Sequence, residues 1–212
     1  MKDLKSYGFD TSSRFFTIAE IGINHGGDLD LAKKLIDSAA SSGADSVKFQ
    51  TYITEKRVAA ESPIFDILKS CELPFEVFEE LKKHAEEQGV EFFSTPFDNE
   101  SVQCLEDIGV NLYKVASFDV VNHKLLARIA ETGKTVIMSV GMANLSEIEA
   151  AYKILKEKTN RIAILHCVSA YPTNEKDANL AVINSLKNEF DCVIGQSDHT
   201  NGIQVPLYSA AM

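Results

Sequence analysis

The sequence predicts an α/β fold of the (β/α)8 TIM-barrel class, and three observations support this prediction. Short β-rich runs alternate with segments of helical periodicity along the chain. Three helical segments end in a glycine, Gly89, Gly109 or Gly133, that a strand follows at once, as in the αβ loops of a parallel sheet. No G-x-G-x-x-G pattern follows the first strand, which disfavours a doubly wound sheet that binds a dinucleotide.

The first strand–helix unit shows the pattern that the others repeat. A strand is predicted over Phe15–Ile21 and leads into a glycine-rich turn at 22–27. Asp28 is expected to cap the following helix, because an aspartate at this position accepts hydrogen bonds from free backbone amides. Residues 29–39 carry apolar side chains at helical spacing, and Ser46–Thr51 gives the second strand.

The later units follow in the same order. Residues 52–73 have no clean period and are predicted to form a long excursion over the strand ends, before a helix that begins at Pro74. Further strands are predicted over 90–95, 111–116, 135–139, 161–167 and 192–196, with helices over 99–109, 122–133, 145–157, 178–189 and from 203 onward. A barrel of this class usually has about 250 residues and eight units. We therefore expect residues 1–212 to form a single barrel domain that is truncated after about seven units.

The composition is that of a globular protein with an acidic balance. Hydrophobic residues make up 45% of the 212, and 31 Asp and Glu against 21 Lys and Arg give a formal net charge of −10. Nucleic acids and anionic membranes attract clustered positive charge, so neither is expected as a partner. No apolar run reaches the ~20 residues of a spanning helix, and the N-terminus lacks the apolar stretch of a secretory signal. With four scattered cysteines, these features predict a cytoplasmic protein with reduced thiols.

Each predicted strand ends in polar or charged side chains. The carboxyl ends of barrel strands meet at one rim, where the chemistry of this fold class takes place. The candidate residues at these ends are Glu20, Lys48, Thr95, Lys114, Ser117, Ser139, Ser197 and His199. Lys48 and Lys114 interrupt apolar runs, and two cations among several hydroxyls suit a ligand that carries a phosphate and a carboxylate. The alternative for either lysine is a structural ion pair with Glu20.

Three histidines near strand ends have more than one interpretation. His199 lies just past the seventh strand, in a position that suits a metal ligand or an acid–base group. His166 ends an apolar strand, and it is either functional or a hydrogen-bonded core residue. His25 follows the first strand, where it could line the same rim.

The candidate residues lie in segments that resemble the motifs of the sialic acid synthase family, the N-acetylneuraminate synthases and their relatives. The opening motif is IAEIGINHGG at 18–27. Later motifs follow in the same order: VKFQT at 47–51, FSTPF at 93–97, YKVAS at 113–117, MSVGM at 138–142, LHCVSAYPT at 165–173 and GQSDHT at 195–200. The resemblance covers about residues 16–212, and its ordered motifs make it specific to the family.

This resemblance implies a reaction and a role for each candidate residue. Phosphoenolpyruvate would condense with the open-chain aldehyde of an N-acylated amino sugar, N-acetylmannosamine or a related six-carbon sugar, to give a nine-carbon 2-keto sugar acid and phosphate. C3 attacks the aldehyde, water adds at C2, and phosphate leaves with C–O cleavage, while a divalent manganese or magnesium ion polarises the aldehyde oxygen. The residues implied to hold phosphoenolpyruvate are Lys48, Thr95, Lys114, Ser117, Ser139 and Ser197. The resemblance places Glu20 against the aldehyde or the water, Tyr171 on the sugar, and His199 on the metal.

The chain departs from the family pattern in two respects. Family members continue with an eighth strand that bears a second metal-binding histidine, an acidic sugar contact and a small C-terminal domain resembling antifreeze proteins, and none of these lies in the 212 residues. We therefore expect this chain to be part of a longer protein and to bind metal only weakly by itself. The full-length protein is expected to be a homodimer. The 54–73 segment lacks the family's sugar-contacting asparagine, and Phe118-Asp119 replaces a glycine–glutamate pair. Both differences favour legionaminic or pseudaminic acid as the product and leave the acceptor sugar open.

Two other functions remain open at this point. Lys48 or Lys114 could be the nucleophile of a Schiff-base aldolase or lyase that acts on a 2-keto acid, although the abundant hydroxyls favour anion binding. The chain could also be an inactive, truncated paralogue that only binds its ligand. Covalent trapping with pyruvate and borohydride distinguishes the first alternative, and ligand binding without phosphate release identifies the second.

Overall fold

A computed structural model describes residues 15–212, in which the chain divides into two units at the boundary between residues 114 and 115. Both units consist of parallel strands that alternate with helices, which confirms the predicted α/β class. The predicted domain start at residue 1 and the lack of a secretory signal concern residues outside the described range. Among residues 15–212, no helix is long and apolar enough to cross a membrane.

The unit of residues 16–114 is a four-stranded parallel sheet with five α-helices. Its strands are β1 (Ile18–Gly22), β2 (Ser46–Thr51), β3 (Glu91–Pro96) and β4 (Leu112–Val115), and they pair in chain order. Its helices are α1 (Leu29–Ser41), α2 (Thr54–Arg57), α3 (Phe65–Cys71), α4 (Phe78–Glu87) and α5 (Asn99–Asp107). Asp28 caps α1 as predicted, since its Oδ1 accepts a hydrogen bond from Leu31 N at 2.9 Å.

The excursion after β2 contains two short helices, α2 and α3, where the sequence predicted no regular element. Side chains fix both of them to their surroundings. Tyr52 donates a hydrogen bond from its hydroxyl to the carbonyl oxygen of Leu68 in α3, at 2.8 Å. Glu72, just after α3, accepts hydrogen bonds from the backbone and hydroxyl of Thr54 in α2, at 2.8 and 2.5 Å. The excursion therefore has a defined conformation beside the strand ends.

The unit of residues 115–212 has three parallel strands and four α-helices. The strands are β5 (Thr135–Ser139), β6 (Ile162–Cys167) and β7 (Val193–Ser197), again paired in chain order. The helices are α6 (His123–Ala130), α7 (Leu145–Lys156), α8 (Ala181–Glu189) and α9 (Gln204–Ala210). A capping box begins α7, because Asn144 accepts from Glu147 N and the Glu147 carboxylate accepts from Asn144 N.

The prediction for the helix after β6 was wrong at its first residues. A helix was predicted from Ala178, whereas α8 begins at Ala181. Asn179 adopts a positive φ of 44°, a left-handed conformation that asparagine tolerates better than most residues and that cannot continue a right-handed helix. The carbonyl of Ala178 is thereby left outside the helix and available to a side chain.

Candidate active site

An ion pair joins the neighbouring strands β1 and β2. Glu20 and Lys48 are partners in the register of the two strands, and Lys48 Nζ lies 2.5 Å from Glu20 Oε2. The two side chains differ in exposure, since that of Lys48 is 6% exposed and that of Glu20 is 44% exposed. The structural ion pair weighed for Lys48 is thus present, and its carboxylate partner reaches solvent.

Thr95 and Lys114 lie on the same face of the sheet as this ion pair. Successive side chains in a strand point to opposite faces, and register partners in neighbouring strands share a face. Gln50 is the partner of Thr95, so Thr95 lies on the Lys48 face. Ser94 pairs with Tyr113 on the other face, which places Lys114 with Lys48 and Thr95. Four of the predicted residues of this unit therefore share one face, and both lysines are 5% exposed.

Two residues that the predicted site did not include lie beside this set. Gln50 shares the face of Lys48, and its Oε1 accepts a hydrogen bond from Arg57 Nη1 at 2.9 Å. The guanidinium of Arg57 stacks on the rings of Phe97 and Tyr52. Gln50 could have been found from its alternation with Lys48, whereas no periodic pattern in the excursion pointed to Arg57.

Ser139 and Ser197 share a face in the unit of residues 115–212. Ser139 pairs with Leu165, and Cys167, two residues further along β6, pairs with Ser197. Register partners and residues two apart in a strand share a face, so Ser139 and Ser197 point to the same side of this sheet. Ser117 lies in a short 3-10 helix after β4, and its Oγ accepts a hydrogen bond from Met142 N at 2.7 Å. That bond fixes the Ser117 hydroxyl against the segment that follows β5.

His199 and Tyr171 lie together in the loops that follow β7 and β6. Their ring centroids are 4.2 Å apart, and Thr173 N donates a hydrogen bond to His199 O at 2.8 Å. His199 Nδ1 lies 2.8 Å from the carbonyl oxygen of Val168. Since a carbonyl can only accept, we assign the proton to Nδ1, which leaves the lone pair on Nε2.

His166 and His25 do not share the faces that carry the candidate residues. His166 pairs with Gln196 on the opposite side of β6 from Cys167 and donates from Nε2 to Ala178 O at 2.8 Å. It is therefore the hydrogen-bonded core histidine that the sequence left as an alternative. His25 stacks on Phe49, which points to the other face of β2 from Lys48. Burial lowers the pKa of His25, as expected for a packed neutral imidazole.

The described residues include one histidine with the arrangement of a metal ligand, but they do not form a complete metal site. A histidine that holds its Nδ1 proton on a carbonyl presents Nε2 in the arrangement that metal-binding histidines adopt, and His199 has this arrangement. Among residues 15–212, no three His, Cys, Asp or Glu side chains are grouped so that they could hold a metal ion. Manganese or magnesium binding stays a prediction.

Comparison with known proteins places these features in a family. Residues 35–212 match the model of the NeuB family. The chain is 45% identical over 93% of its length to uncharacterized protein MJ1065 of Methanocaldococcus jannaschii, and 40% identical over 92% to the N,N'-diacetyllegionaminic acid synthase of Campylobacter jejuni. It spans 59% and 64% of the length of these two relatives.

A solved structure agrees with the predicted class of fold. The crystal structure of the N-acetylneuraminic acid synthetase of Leptospira borgpetersenii in complex with citrate matches with a TM-score of 0.89 and 44% identity, over 92% of this chain and 68% of that one. This likeness confirms the barrel class of the fold. The resemblance read from the motifs is confirmed as well.

Proposed function

Because this chain belongs to the NeuB family, we propose that the protein it comes from condenses phosphoenolpyruvate with an N-acylated amino sugar. The product is a nine-carbon 2-keto sugar acid of the sialic acid type, and phosphate is released. Relatives named as sialic-acid-type synthases support this reaction class. The chain spans only part of those relatives, so the activity is proposed for the whole protein.

The observation that carries the proposal is the pair of buried lysines on one face of β2 and β4. Lys48 and Lys114 are each 5% exposed in a protein of formal net charge −10. An ammonium group donates up to three hydrogen bonds, so it can hold an anionic ligand beside a protein partner, and phosphoenolpyruvate brings a phosphate and a carboxylate. Thr95, on the same face, adds a hydroxyl donor. On the resemblance of their motifs, Ser117, Ser139 and Ser197 are also proposed to donate hydrogen bonds to phosphoenolpyruvate.

Glu20 is proposed to act on the reacting groups. Its carboxylate is held by Lys48 yet 44% exposed, so it can orient the attacking water or contact the acceptor aldehyde. Tyr171 is 78% exposed beside His199, which suits a contact with the sugar. His199 would hold a divalent manganese or magnesium ion through Nε2, and that ion when bound would polarise the aldehyde oxygen.

The acceptor is proposed to be N-acetylmannosamine or a related six-carbon sugar with further acetamido groups. The 40% identity to a synthase of N,N'-diacetyllegionaminic acid favours the second class. Legionaminic and pseudaminic acid are therefore the products to test first. Homodimerisation at full length is part of the same proposal.

The test uses the whole protein that the gene encodes, with phosphoenolpyruvate labelled with heavy oxygen in its C2–O bond. Incubation with each candidate sugar and manganese should yield a nine-carbon acid by mass spectrometry, with the label in the released phosphate. A covalent adduct with pyruvate after borohydride reduction would instead support the Schiff-base alternative. His199→Ala should stay inactive at every manganese concentration, and normal turnover of this variant would refute the assignment of the metal ligand.

A further inference from the structure

An arginine stacked on two aromatic rings lies beside the Lys48 face of the first unit. The carbon of the Arg57 guanidinium lies 3.9 Å from the ring centroid of Phe97 and 4.6 Å from that of Tyr52. Such contacts attract a cation to the ring faces, and planar guanidinium groups make them well. Arg57 Nη1 donates to Gln50 Oε1 at 2.9 Å. The arginine therefore connects the excursion after β2 to a side chain on the candidate face.

The two rings that hold Arg57 are themselves fixed. Tyr52 is 3% exposed, and its hydroxyl donates to Leu68 O at 2.8 Å. Burial raises the pKa of Tyr52 to about 12, so this hydroxyl keeps its proton at neutral pH. The Phe97 ring meets the Tyr52 ring edge-on with centroids 6.1 Å apart, and Phe97 N donates to Thr51 O at 3.2 Å. The Tyr52 side chain is thus tied to the backbone of α3, and the backbone that carries the Phe97 ring is tied to β2.

Arg57 selects one orientation of the Gln50 amide. A glutamine amide has an accepting oxygen at one end and a donating NH2 at the other, and a guanidinium can only donate. The amide must therefore turn Oε1 to Arg57 and Nε2 away from it. Nε2 lies 3.8 Å from the point that a Cβ at Gly22 would occupy, at the carboxyl end of β1. The donor end of Gln50 is thereby directed to the carboxyl end of β1, two residues after Glu20.

We infer that Arg57 is a positioning residue, which holds the Gln50 amide so that Nε2 donates a hydrogen bond to an oxygen of the bound substrate. The inference rests on the proposed function for the identity of the substrate, and on the Arg57–Gln50–Gly22 geometry for the orientation. Without Arg57 the amide can rotate and present an acceptor in place of a donor. Substrate oxygens that only accept would then face Oε1.

The activity test is a double-variant cycle in the whole protein that the gene encodes. Arg57→Met keeps an apolar stem and removes the donor, and Gln50→Ala removes the amide. Each is expected to lower kcat/KM for the acceptor sugar about tenfold, and the double variant should be no worse than Gln50→Ala alone. Lys56→Met is the matched control, because it removes the same charge from the same helix. Lys56 pairs with Glu100 and not with Gln50. Multiplying effects in the double variant, or an Arg57→Met protein that behaves as Lys56→Met, would overturn the inference.

A second readout does not depend on catalysis. With glutamine side chains labelled with heavy nitrogen, the two Gln50 amide protons should give well-separated, rigid NMR signals, assigned by their loss in Gln50→Ala. In Arg57→Met these signals should approach the positions and mobility of an unrestrained amide, whereas Lys56→Met should leave them unchanged. If the unmodified protein shows no condensation, the proposed function fails while these signals still decide the role of Arg57. Unchanged Gln50 signals in Arg57→Met would refute it.

Discussion

Lys48 and Glu20 form an ion pair whose members have unequal access to water, which gives them unequal effects on stability. Removing one partner of a buried pair leaves the other charge uncompensated, whereas a partner that reaches solvent can be hydrated. The Lys48 side chain is 6% exposed and that of Glu20 is 44% exposed. The buried cation therefore depends on its partner more than the carboxylate does.

We expect Glu20→Ala to destabilise the fold by about 1–2 kcal/mol and Lys48→Met to destabilise it by less than about 1 kcal/mol. The methionine removes the buried charge and leaves a hydrated carboxylate. Urea unfolding of both variants measures the difference in the free energy of unfolding. A larger loss in Lys48→Met than in Glu20→Ala would contradict this and show that the ammonium group stabilises the fold beyond its pair with Glu20.

Lys114 gives the corresponding prediction for ligand binding. Lys114→Ala should weaken binding of phosphoenolpyruvate by about 1.5–3 kcal/mol, the range for a hydrogen bond to a charged group. Lys114→Arg should not restore this affinity, because the larger planar guanidinium does not replace a compact ammonium group in a buried position. Isothermal calorimetry measures the affinity, with Lys124→Ala, on α6, as a surface control. Unchanged affinity in Lys114→Ala would remove this residue from the proposed site.

The residues that could be predicted from sequence are those that break a pattern. Lys48 and Lys114 stand out because each interrupts an apolar strand, and the register of the sheet places both on one face. Arg57 could not be found this way, because its role depends on Phe97, which is distant in sequence and reaches Arg57 only when β2 and β3 pair. The sequence did not decide between a functional and a structural role for His166. The acceptor of its hydrogen bond, Ala178 O, is available only because the left-handed Asn179 keeps Ala178 out of the helix.

At the scale of elements, the turn from β1 to α1 packs closely against α3. A Cβ at Gly27 would lie 2.3 Å from the carbonyl oxygen of Ser70, whereas a Cβ at Gly26 would meet nothing within 4 Å. Both residues have positive φ, 81° and 57° respectively. The two neighbouring glycines thus share a backbone requirement and differ in the space around them.

This difference predicts unequal costs for two alanine substitutions. Gly26→Ala should lower the free energy of unfolding by about 1 kcal/mol, the strain of a left-handed alanine. Gly27→Ala should lower it by about 3 kcal/mol or more, since a clash with backbone adds to that strain. Thermal and urea unfolding of the pair tests this, and equal losses would mean that α3 shifts freely away from the turn.

The two short helices of the excursion are held by a carboxylate with an altered pKa. Burial alone would raise the pKa of Glu72, but hydrogen bonds from Thr54 and Lys69 outweigh it and lower the pKa below its ordinary value of 4.5. A carboxylate with a lowered pKa stabilises the folded state above the ordinary value. That stabilisation is lost as pH falls through the lowered pKa.

Glu72→Gln is therefore expected to reduce stability by about 1 kcal/mol at neutral pH, and by progressively less as the pH falls below 4.5. The free energy of unfolding as a function of pH measures this difference. Glu61→Gln, which changes an exposed glutamate of the same excursion, serves as the control. A difference between the Glu72→Gln and unmodified proteins that stays constant into acid would contradict the assigned hydrogen bonds.

The predicted strands agree closely with the observed ones, because alternating runs of β-branched and apolar residues are long enough to recognise. The excursion helices were missed for the opposite reason: α2 has four residues and α3 has seven, too few to show a period. Contacts such as Tyr52 with Leu68 stabilise them, and such contacts exist only after folding.

At the scale of the whole chain, α9 and the residue before it expose large apolar side chains to solvent. Ile203, Leu207 and Tyr208 are 73%, 60% and 63% exposed. Ile203, just before α9, and Leu207 are four residues apart and so lie on one side of this helix. Within its own unit, β7 pairs with β6 alone among the described residues. An exposed apolar helix face next to a strand edge favours association with other chains.

We therefore expect the 212-residue chain, produced by itself, to self-associate in dilute solution. Ile203→Glu combined with Leu207→Glu should shift it towards the monomer, because two carboxylates oppose burial of that helix face. Ile64→Glu combined with Ile67→Glu is the matched control, since it adds the same charge to exposed apolar positions, 47% and 58% exposed, in and next to α3. Sedimentation velocity over a wide range of concentration measures the association. A sharp monomer boundary for the unmodified chain, together with cooperative thermal unfolding, would show that this surface is stable in water without a partner.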